Sequence, residues 1–469
     1  MIKKPKTLQY IPRWLVAIGD IIFICAGFLL GFVFRFGLNV PEKNFQPFME
    51  TLPWLSVVVL ILFAGLGLYE YRFNGFLPVI WSVITAVVIT AVFTAAITFW
   101  LREFAFPRSV LVLGAVCQAV LVIAWRGLVW YGDRWLHGRR RLAVIGNIND
   151  IEAIAGKLLE MPRNVYTIEK VIQPGDAADI KKQLQGLDGV IVAPSVTRDL
   201  KSRVLAACLE SGREVYFVPD LYDVMVSSAR VGQIDDLPVL QVQDIRLSAF
   251  QAATKRAIDL LVAVIGLVIS SPLMLLCALL VAATSRGPVF YTQRRVGQYG
   301  KVFRIYKFRT MVPDAEKMTG PVLATERDPR ITKVGRILRA TRLDELPQLF
   351  NILKGEMSFV GPRPERPFFV EQFENSNPAY WYRYLVKPGI TGLAQVYGKY
   401  TTSAEDKLRY DLYYIRNYSL LLDLKIILQT IPVVLSPSAS RGWRENNEQN
   451  GRQAIHLLLN ETKQPSNLS

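Results

Sequence analysis

The sequence predicts three folded parts in series: a membrane α-helical bundle, a Rossmann-like α/β domain, and a second α/β region entered through a further apolar run. Three observations carry this reading. Four long apolar runs open the chain, at residues 14–34, 52–69, 76–101 and 109–125, and the only acid among them apart from the flanks is Asp20. From Arg141 onward, short β-type segments alternate with helical ones. A fifth run, residues 260–283, carries no charge but has Ser270-Ser271-Pro272 at its centre.

Each of the first four runs is long enough to cross a hydrocarbon core of ~30 Å at 1.5 Å per residue. The first has no small-residue cleavage pattern and three more follow it, so it reads as a spanning helix rather than a cleaved signal. Orientation follows from the cations. Lys3, Lys4, Lys6 and Arg13 precede the first run, and Arg126, Arg134, Arg139, Arg140 and Arg141 follow or end the fourth. The intervening loops hold few cations with balancing acids, which puts both ends of the block on the cytoplasmic side. Asp20 is either a functional intramembrane charge or one that sits near the interface or pairs between helices.

The alternating region has expected strands at 142–145, 167–172, 189–193 and 215–218, with helices at 151–159, 177–185 and 197–211. That alternation predicts a small parallel sheet. Its first turn, Gly146-Asn147-Ile148-Asn149-Asp150, has one glycine where a dinucleotide fingerprint has three. A regulatory or assembly role without a demonstrable cofactor is therefore expected.

Composition limits the chemistry. The 469 residues include 55 Lys and Arg against 39 Asp and Glu, a formal charge of +16, and 51% are hydrophobic. Counting glycine in place of tyrosine gives about 54% apolar, above the ~45–50% of soluble domains. A basic, greasy chain favours an anionic membrane surface over nucleic acid as partner. The four cysteines lie far apart within apolar runs, so neither a zinc cage nor a disulfide framework is suggested. With two histidines, His137 and His456, a Ser-His-Asp triad or a histidine metal site lacks its parts. Any catalysis falls to carboxylates and cations.

The fifth run, flanked by Lys255, Arg256 and Arg286, has two readings. Proline removes a backbone N–H and crowds the preceding turn, while the serines can satisfy the freed carbonyls. The result is either a kinked spanning helix or a hairpin that returns to the same side. Beyond it, residues 284–311 hold seven cations and no acid, interleaved with aromatics at 301–311. In Thr341-Arg342-Leu343-Asp344-Glu345-Leu346-Pro347-Gln348, Pro347 is tolerable only in a first helical turn, which sets Asp344 and Glu345 at or just before a helix start. Two carboxylates there can face one site, bind Mg²⁺ or attack phosphorus. The dipeptide by itself reads first as an N-terminal capping pair.

Residues from about 250 to 436 resemble the bacterial sugar transferase family, the monotopic phosphoglycosyl transferases. The matching stretches are Lys255-Arg256 with Asp259, Ser271-Pro272, Lys307-Phe308-Arg309-Thr310-Met311, Leu343-Asp344-Glu345-Leu346-Pro347-Gln348, the run from Lys354 through Gly361-Pro362-Arg363-Pro364, and Lys387-Pro388-Gly389-Ile390-Thr391-Gly392. With the helical block and α/β domain ahead, the chain is similar to the long members, the undecaprenyl-phosphate sugar phosphotransferases. Leu393 stands where members often carry Trp.

The resemblance implies an α/β monotopic catalytic domain with a re-entrant membrane helix at 256–284, broken at Ser271-Pro272. It implies Asp344 as nucleophile on the β-phosphate of a UDP-sugar, Glu345 as its partner, and Mg²⁺ at Asp344. Release of UMP and transfer of the sugar phosphate to undecaprenyl phosphate follow, with glucose or galactose favoured and an N-acetylated amino sugar as the alternative. Arg339 and Arg363 are expected on the phosphates, Lys307 and Arg309 are weaker candidates, and Lys255 and Arg256 are expected at the polyprenyl phosphate. The aromatics Phe368, Phe369, Phe373, Tyr380, Trp381, Tyr382 and Tyr384 suit headgroup depth. Topology supports re-entry independently, because a fifth crossing would move the carboxylates away from a cytoplasmic nucleotide sugar. The expected parts are residues 1–135, 139–247, 250–436 and a polar tail at 437–469. UDP-sugar, undecaprenyl phosphate and membrane lipids are the expected partners, nucleic acid is not, and a homodimer is expected from analogy alone. The rival class is a non-catalytic membrane scaffold that recruits polymer machinery.

Overall fold

The computed structural model describes residues 11–70, 75–100, 107–159, 166–242, 244–312, 328–398 and 402–435. The tail at 437–469, the N-terminal lysines and the loop holding Arg102 and Glu103 lie outside the described residues. The chain divides between Pro219 and Asp220 into two compact units.

The first unit opens with four helices, α1 (Arg13–Phe36), α2 (Glu42–Gly65), α3 (Leu77–Trp100) and α4 (Arg108–His137), each long and apolar enough to cross a membrane. Glycines let α1 and α4 touch. A Cβ on Gly31 would lie 2.8 Å from the Gly114 nitrogen, and one on Gly27 would lie 2.5 Å from the Gln118 side chain. Asp20 pairs between helices: Arg126 of α4 donates from Nε and Nη2 to its two oxygens at 2.9 and 2.5 Å. Arg126 Nη1 also donates to the Leu68 carbonyl at 2.6 Å, and its guanidinium lies over the Tyr69 ring. A buried charge in lipid is tolerable when it is satisfied in this way.

A sheet follows, built from β1 (Arg140–Ile145), α5 (Ile148–Leu159), β2 (Tyr166–Ile172), α6 (Ile180–Gln183), β3 (Gly189–Val192), α7 (Arg198–Ser211) and β4 (Glu214–Phe217). All strands are parallel in the order β2-β1-β3-β4. The helix expected at 177–185 is a 3-10 turn over Pro174–Asp179 and then α6, because Pro174 starts the turn and Asp179 caps the helix. Ala143, Ile145, Val190, Val192, Val204 and Cys208 fill one side of the sheet.

The second unit begins with α8 (Leu221–Val226) and the hairpin β5 (Arg230–Ile234) to β6 (Leu237–Gln241). The sequence reading groups residues 220–247 with the α/β domain. Val224, with Leu221, Ile245 and Leu247 against it, packs instead in the core of the second unit.

Helix α9 (Ala249–Thr284) starts with a Ser248–Gln251 capping box and runs without interruption through Ser271 and Pro272. The expected break is thus a proline inside a continuous helix. Its physical basis is visible: Pro272 leaves the Val268 carbonyl without its usual donor, and Ser271 Oγ donates to that carbonyl at 2.9 Å. At 36 residues, about 54 Å of helix, α9 exceeds one bilayer core. One stripe faces protein along this length. Ala263 and Leu267 pack with Leu349, Ile352 and Met357, while Met274, Cys277 and Val281 pack with Phe308 and Leu338. The opposite faces, including Leu261, Val264, Val268, Ile269, Leu275 and Leu279, are exposed and apolar.

The rest of the unit comprises β7 (Phe290–Val296) paired antiparallel with β8 (Val302–Phe308), α10 (Lys333–Ala340), α11 (Gln348–Lys354), β9 (Ser358–Val360), α12 (Pro367–Ser376), β10 (Gly389–Thr391), α13 (Leu393–Tyr397), α14 (Ala404–Arg416) and α15 (Leu420–Leu435). Strands β9 and β10 pair in parallel. The aromatic cluster divides: Tyr380 and Tyr384 are core, whereas Phe368, Trp381 and Tyr382 are exposed.

Candidate active site

Asp344 and Glu345 sit in a single 3-10 turn, Leu343–Glu345, immediately before α11, whose first-turn geometry Pro347 fits. The turn is entered through Arg342 at φ 59°. A non-glycine residue in that left-handed region costs of order 1–3 kcal/mol, so the surrounding packing over-determines the turn. Leu343 and Leu346 anchor it against the α9 contact cluster. Helix α10 approaches so closely that a Cβ on Gly335 would lie 2.0 Å from the Thr310 carbonyl, bringing Arg339 in its last turn toward the pair.

Both carboxylates are buried, at 8% and 9% exposure, yet their surroundings differ. Glu345 Oε1 accepts from Lys307 Nζ on β8 at 2.9 Å and from Arg363 Nη2 at 2.7 Å. Burial alone would raise the Glu345 carboxyl, but those two cations and their hydrogen bonds outweigh it and hold it well below the usual carboxylate range. Asp344 accepts no hydrogen bond from the described residues. Burial, and then the negative charge of Glu345, push its carboxyl up to about 6 against the pull of Lys307, Arg339 and Arg342. Lys307 itself is lowered, by burial and by Arg363, against the attraction of Glu345. Adjacent carboxylates with opposite displacements suggest different tasks.

Arg363 is braced from behind. Arg383 Nη2 donates to its carbonyl at 2.9 Å, and Arg295 Nη1 donates to the Pro364 carbonyl at 3.0 Å. Arg383 is itself buried against Asp411 at 2.8 Å and bonded to the Tyr380 hydroxyl. These bracing residues carry no local motif, and only their basic character in a buried, aromatic-rich stretch hints at them.

The expected site residues therefore separate. Asp344, Glu345, Lys307, Arg339 and Arg363 converge, joined by Arg342, which sequence reasoning did not single out. Arg309 is elsewhere, buried at the end of α9, where its Nη2 donates to the Ser285 carbonyl and hydroxyl at 2.7 Å. Lys255 is buried in an ion pair with Asp423 at 2.6 Å, and Arg256 donates to the Ile352 and Leu353 carbonyls at the end of α11 at 2.6 and 2.9 Å. Both are held by protein partners rather than presented as a free pair. Ser271 and Pro272 act on α9 alone. No group of three or more His, Cys, Asp or Glu side chains among the described residues is arranged to hold a metal by itself.

Four cations around two carboxylates leave the site able to receive a di-anion. The arrangement suits phosphoryl transfer, which needs positioning and charge neutralisation more than a proton relay.

The turn after β1 is of another kind. A Cβ on Gly146 would lie 2.5 Å from the Ala193 Cβ, so that glycine serves strand-end packing. Asp150 accepts from the Ser195 backbone at 3.3 Å, and Ser195 Oγ accepts from the Asn147 N–H at 3.2 Å. A carboxylate already occupying the strand ends does not suit an anionic coenzyme there.

Comparison with known proteins follows this division. The family described as bacterial sugar transferase matches residues 250–437, and one described as a CoA-binding domain matches residues 65–194, from α3 through β3 of the parallel sheet. A UDP-N-acetylgalactosamine-undecaprenyl-phosphate N-acetylgalactosaminephosphotransferase of Aeromonas hydrophila is 34% identical over 394 residues, covering 82% of this chain and 86% of its own length. UDP-glucose:undecaprenyl-phosphate glucose-1-phosphate transferases are also similar. That of Klebsiella pneumoniae is 32% identical over 350 residues, covering 70% of this chain and 74% of its own, and that of Escherichia coli (strain K12) is 32% identical over 340 residues, covering 71% and 69%. The chain belongs to the bacterial sugar transferase family and is a membrane phosphotransferase.

Proposed function

We propose that this protein transfers a sugar 1-phosphate from a UDP-sugar to undecaprenyl phosphate at the cytoplasmic face of the bacterial inner membrane, starting an exopolysaccharide, capsule or O-antigen chain. The observation that carries the reading is the split pair: Asp344 unbonded and raised, Glu345 tied to Lys307 and Arg363. An oxygen of Asp344 attacks the β-phosphorus of the donor, the bond from that phosphorus to the bridging oxygen breaks, and UMP leaves. The sugar phosphate is then an acyl phosphate on Asp344. An oxygen of undecaprenyl phosphate attacks the same phosphorus, the aspartyl bond breaks, and a lipid-linked diphosphate sugar forms. At pH 7 a carboxyl titrating near 6 is about nine-tenths ionised, and it is more basic than an ordinary aspartate.

In this proposal Arg339, Arg342 and Arg363 neutralise the diphosphate, and Glu345 fixes Lys307 and Arg363 in place. Asp344 offers a free hard oxygen, which fits Mg²⁺ held by one carboxylate with substrate oxygens and waters as its remaining ligands. When bound, the ion would draw charge from the diphosphate oxygens.

Two observations support a monotopic α9. Its buried stripe packs on one catalytic domain along both halves, and its exposed faces are apolar. Cations flanking the four spanning helices support the cytoplasmic side. Glucose or galactose remains the proposed sugar, and since the relatives' names divide between glucose and N-acetylgalactosamine, the test is a UDP-sugar panel read by UMP release. Release must require undecaprenyl phosphate for turnover and must vanish in Asp344→Asn. Retained turnover in that variant would sink the covalent route.

A further inference from the structure

A second cationic site lies at the far end of α11 from the carboxylate pair. Gly355 closes that helix at φ +83°, and with no side chain it leaves a gap. Arg256 Nη2 lies 3.5 Å, and Lys387 Nζ 3.7 Å, from where a Cβ there would sit. The two nitrogens are therefore no more than about 7 Å apart, a span that one phosphate group bridges with hydrogen bonds to both sides.

The two cations are unequal. Arg256 is fixed by the Ile352 and Leu353 carbonyls, which use two of its five N–H groups. Lys387 is half-buried and has no hydrogen-bond or ion-pair partner among the described residues. The nearby carboxylates are all engaged. Asp259 accepts from Ser358 Oγ and the Phe359 N–H, Asp423 accepts from Lys255 and the Tyr414 hydroxyl, and Glu356 accepts from Asn351. Burial and the charge of Arg256 lower Lys387 against the pull of Asp259, and Lys255 adds to the lowering. A half-buried ammonium beside a guanidinium is costly unless a counter-charge arrives.

The surroundings indicate where that anion comes from. The Lys255–Asp423 pair ties the start of α9 to the start of α15. Close to that tie, Ile258 and Leu261 on α9 and Leu421 and Leu424 on α15 are exposed. A charged notch on a domain whose α9 and α15 also expose apolar side chains has the amphiphilic make-up a lipid needs, phosphate at the notch and chains along the helices.

We propose that Arg256 and Lys387, converging on the gap at Gly355, bind the phosphate headgroup of an anionic membrane phospholipid at a site separate from the Asp344 centre. The separation excludes the reacting acceptor phosphate. Residues 344 to 355 enclose α11, so the two points are on the order of 15 Å apart at a helical rise, whereas the acceptor must reach the phosphorus on Asp344. The lipid would fix the start of α9 against the domain. The proposal rests on the membrane-surface reading above but not on the transfer chemistry.

The test uses the full chain in detergent with added phosphatidylglycerol or phosphatidylcholine, and reads retained lipid by native mass spectrometry. Wild type should retain phosphatidylglycerol in preference to phosphatidylcholine. Retention should fall about fivefold in Lys387→Gln, the effect of one cation at an anionic headgroup, and recover in Lys387→Arg. Asp344→Asn should keep full retention while losing UMP release, which separates this site from the transfer reaction. Equal retention in wild type and Lys387→Gln, or no preference for phosphatidylglycerol, overturns the proposal. So does a Lys387→Gln protein whose retention is normal while its KM for undecaprenyl phosphate rises, since the notch then serves the acceptor.

Discussion

Replacing Asp344 by Asn should stabilise the protein, and only at pH values above the acid range. In the folded chain this carboxyl titrates near 6 because it is buried beside Glu345, whereas an unfolded aspartate titrates near its ordinary value of 3.8. Between those values the folded state holds a proton that the unfolded state has lost. Stability therefore falls as pH rises through that window and is flat above it. The displacement is about 2 pH units, which at 1.36 kcal/mol per unit is about 3 kcal/mol, an upper bound for a site that can relax or admit water. Attraction from Lys307, Arg339 and Arg342 already lies within that net value. Asn keeps the shape and cannot ionise. For a unit of this size, 1 kcal/mol moves the Tm by roughly 2–4 °C, so the variant should melt on the order of 5 °C higher at pH 8 and come level with wild type only as the pH falls below the unfolded value of 3.8. Thermal unfolding in detergent, followed by tryptophan fluorescence across that range, gives the difference directly, and other carboxylates cancel because both proteins contain them. A pH-independent difference, or an Asn variant less stable at pH 8, would refute the burial argument.

Four further outcomes follow from the same geometry. UMP release should lose one proton's worth of activity below about pH 6, and Glu345→Gln should move that acid limb downward, since the neighbouring negative charge helps to raise Asp344; a limb that stays put assigns the titration elsewhere. Lys307→Met should reduce kcat by about 10²–10³, in line with loss of one preorganised charge contact, as read by single-turnover UMP release. Arg383→Met should cost about 3–5 kcal/mol by stranding buried Asp411, and Arg383→Met with Asp411→Leu should recover much of it, as measured by denaturant unfolding. Asp20→Leu should loosen the helix bundle by a similar amount and Asp20→Leu with Arg126→Leu by less, as judged by melting of the detergent-solubilised chain.

How far the sequence speaks depends on distance along the chain. The four apolar runs, the parallel α/β segment and the position of Asp344 and Glu345 before a helix are local features, set by hydrophobic period and by Pro347, and they are legible. Contacts between remote segments leave no such trace. Asp20 is ambiguous in sequence because its partner, Arg126, is 106 residues away, and Lys255 reads as a free lipid-facing cation because Asp423 is 168 residues away. Arg309 reads as a phosphate ligand from its basic strand, yet Ser285 at the end of α9 claims it. Residues 220–247 read as a continuation of the α/β domain because nothing local marks Val224 as belonging to another core. Ser271 and Pro272 show the reverse case, since a local rule identifies both the missing donor and its replacement while leaving the helix's course to packing.

The central claim, that Asp344 carries the sugar phosphate, is open to one direct measurement. The protein is mixed with a UDP-sugar in the absence of undecaprenyl phosphate, quenched in acid, digested and analysed by mass spectrometry. Covalent transfer through Asp344 predicts a hexose-phosphate adduct on the peptide containing Asp344, formed in step with UMP, discharged on adding undecaprenyl phosphate, and missing in Asp344→Asn. An adduct on a different residue, or full transfer through a protein that never carries one, would contradict it.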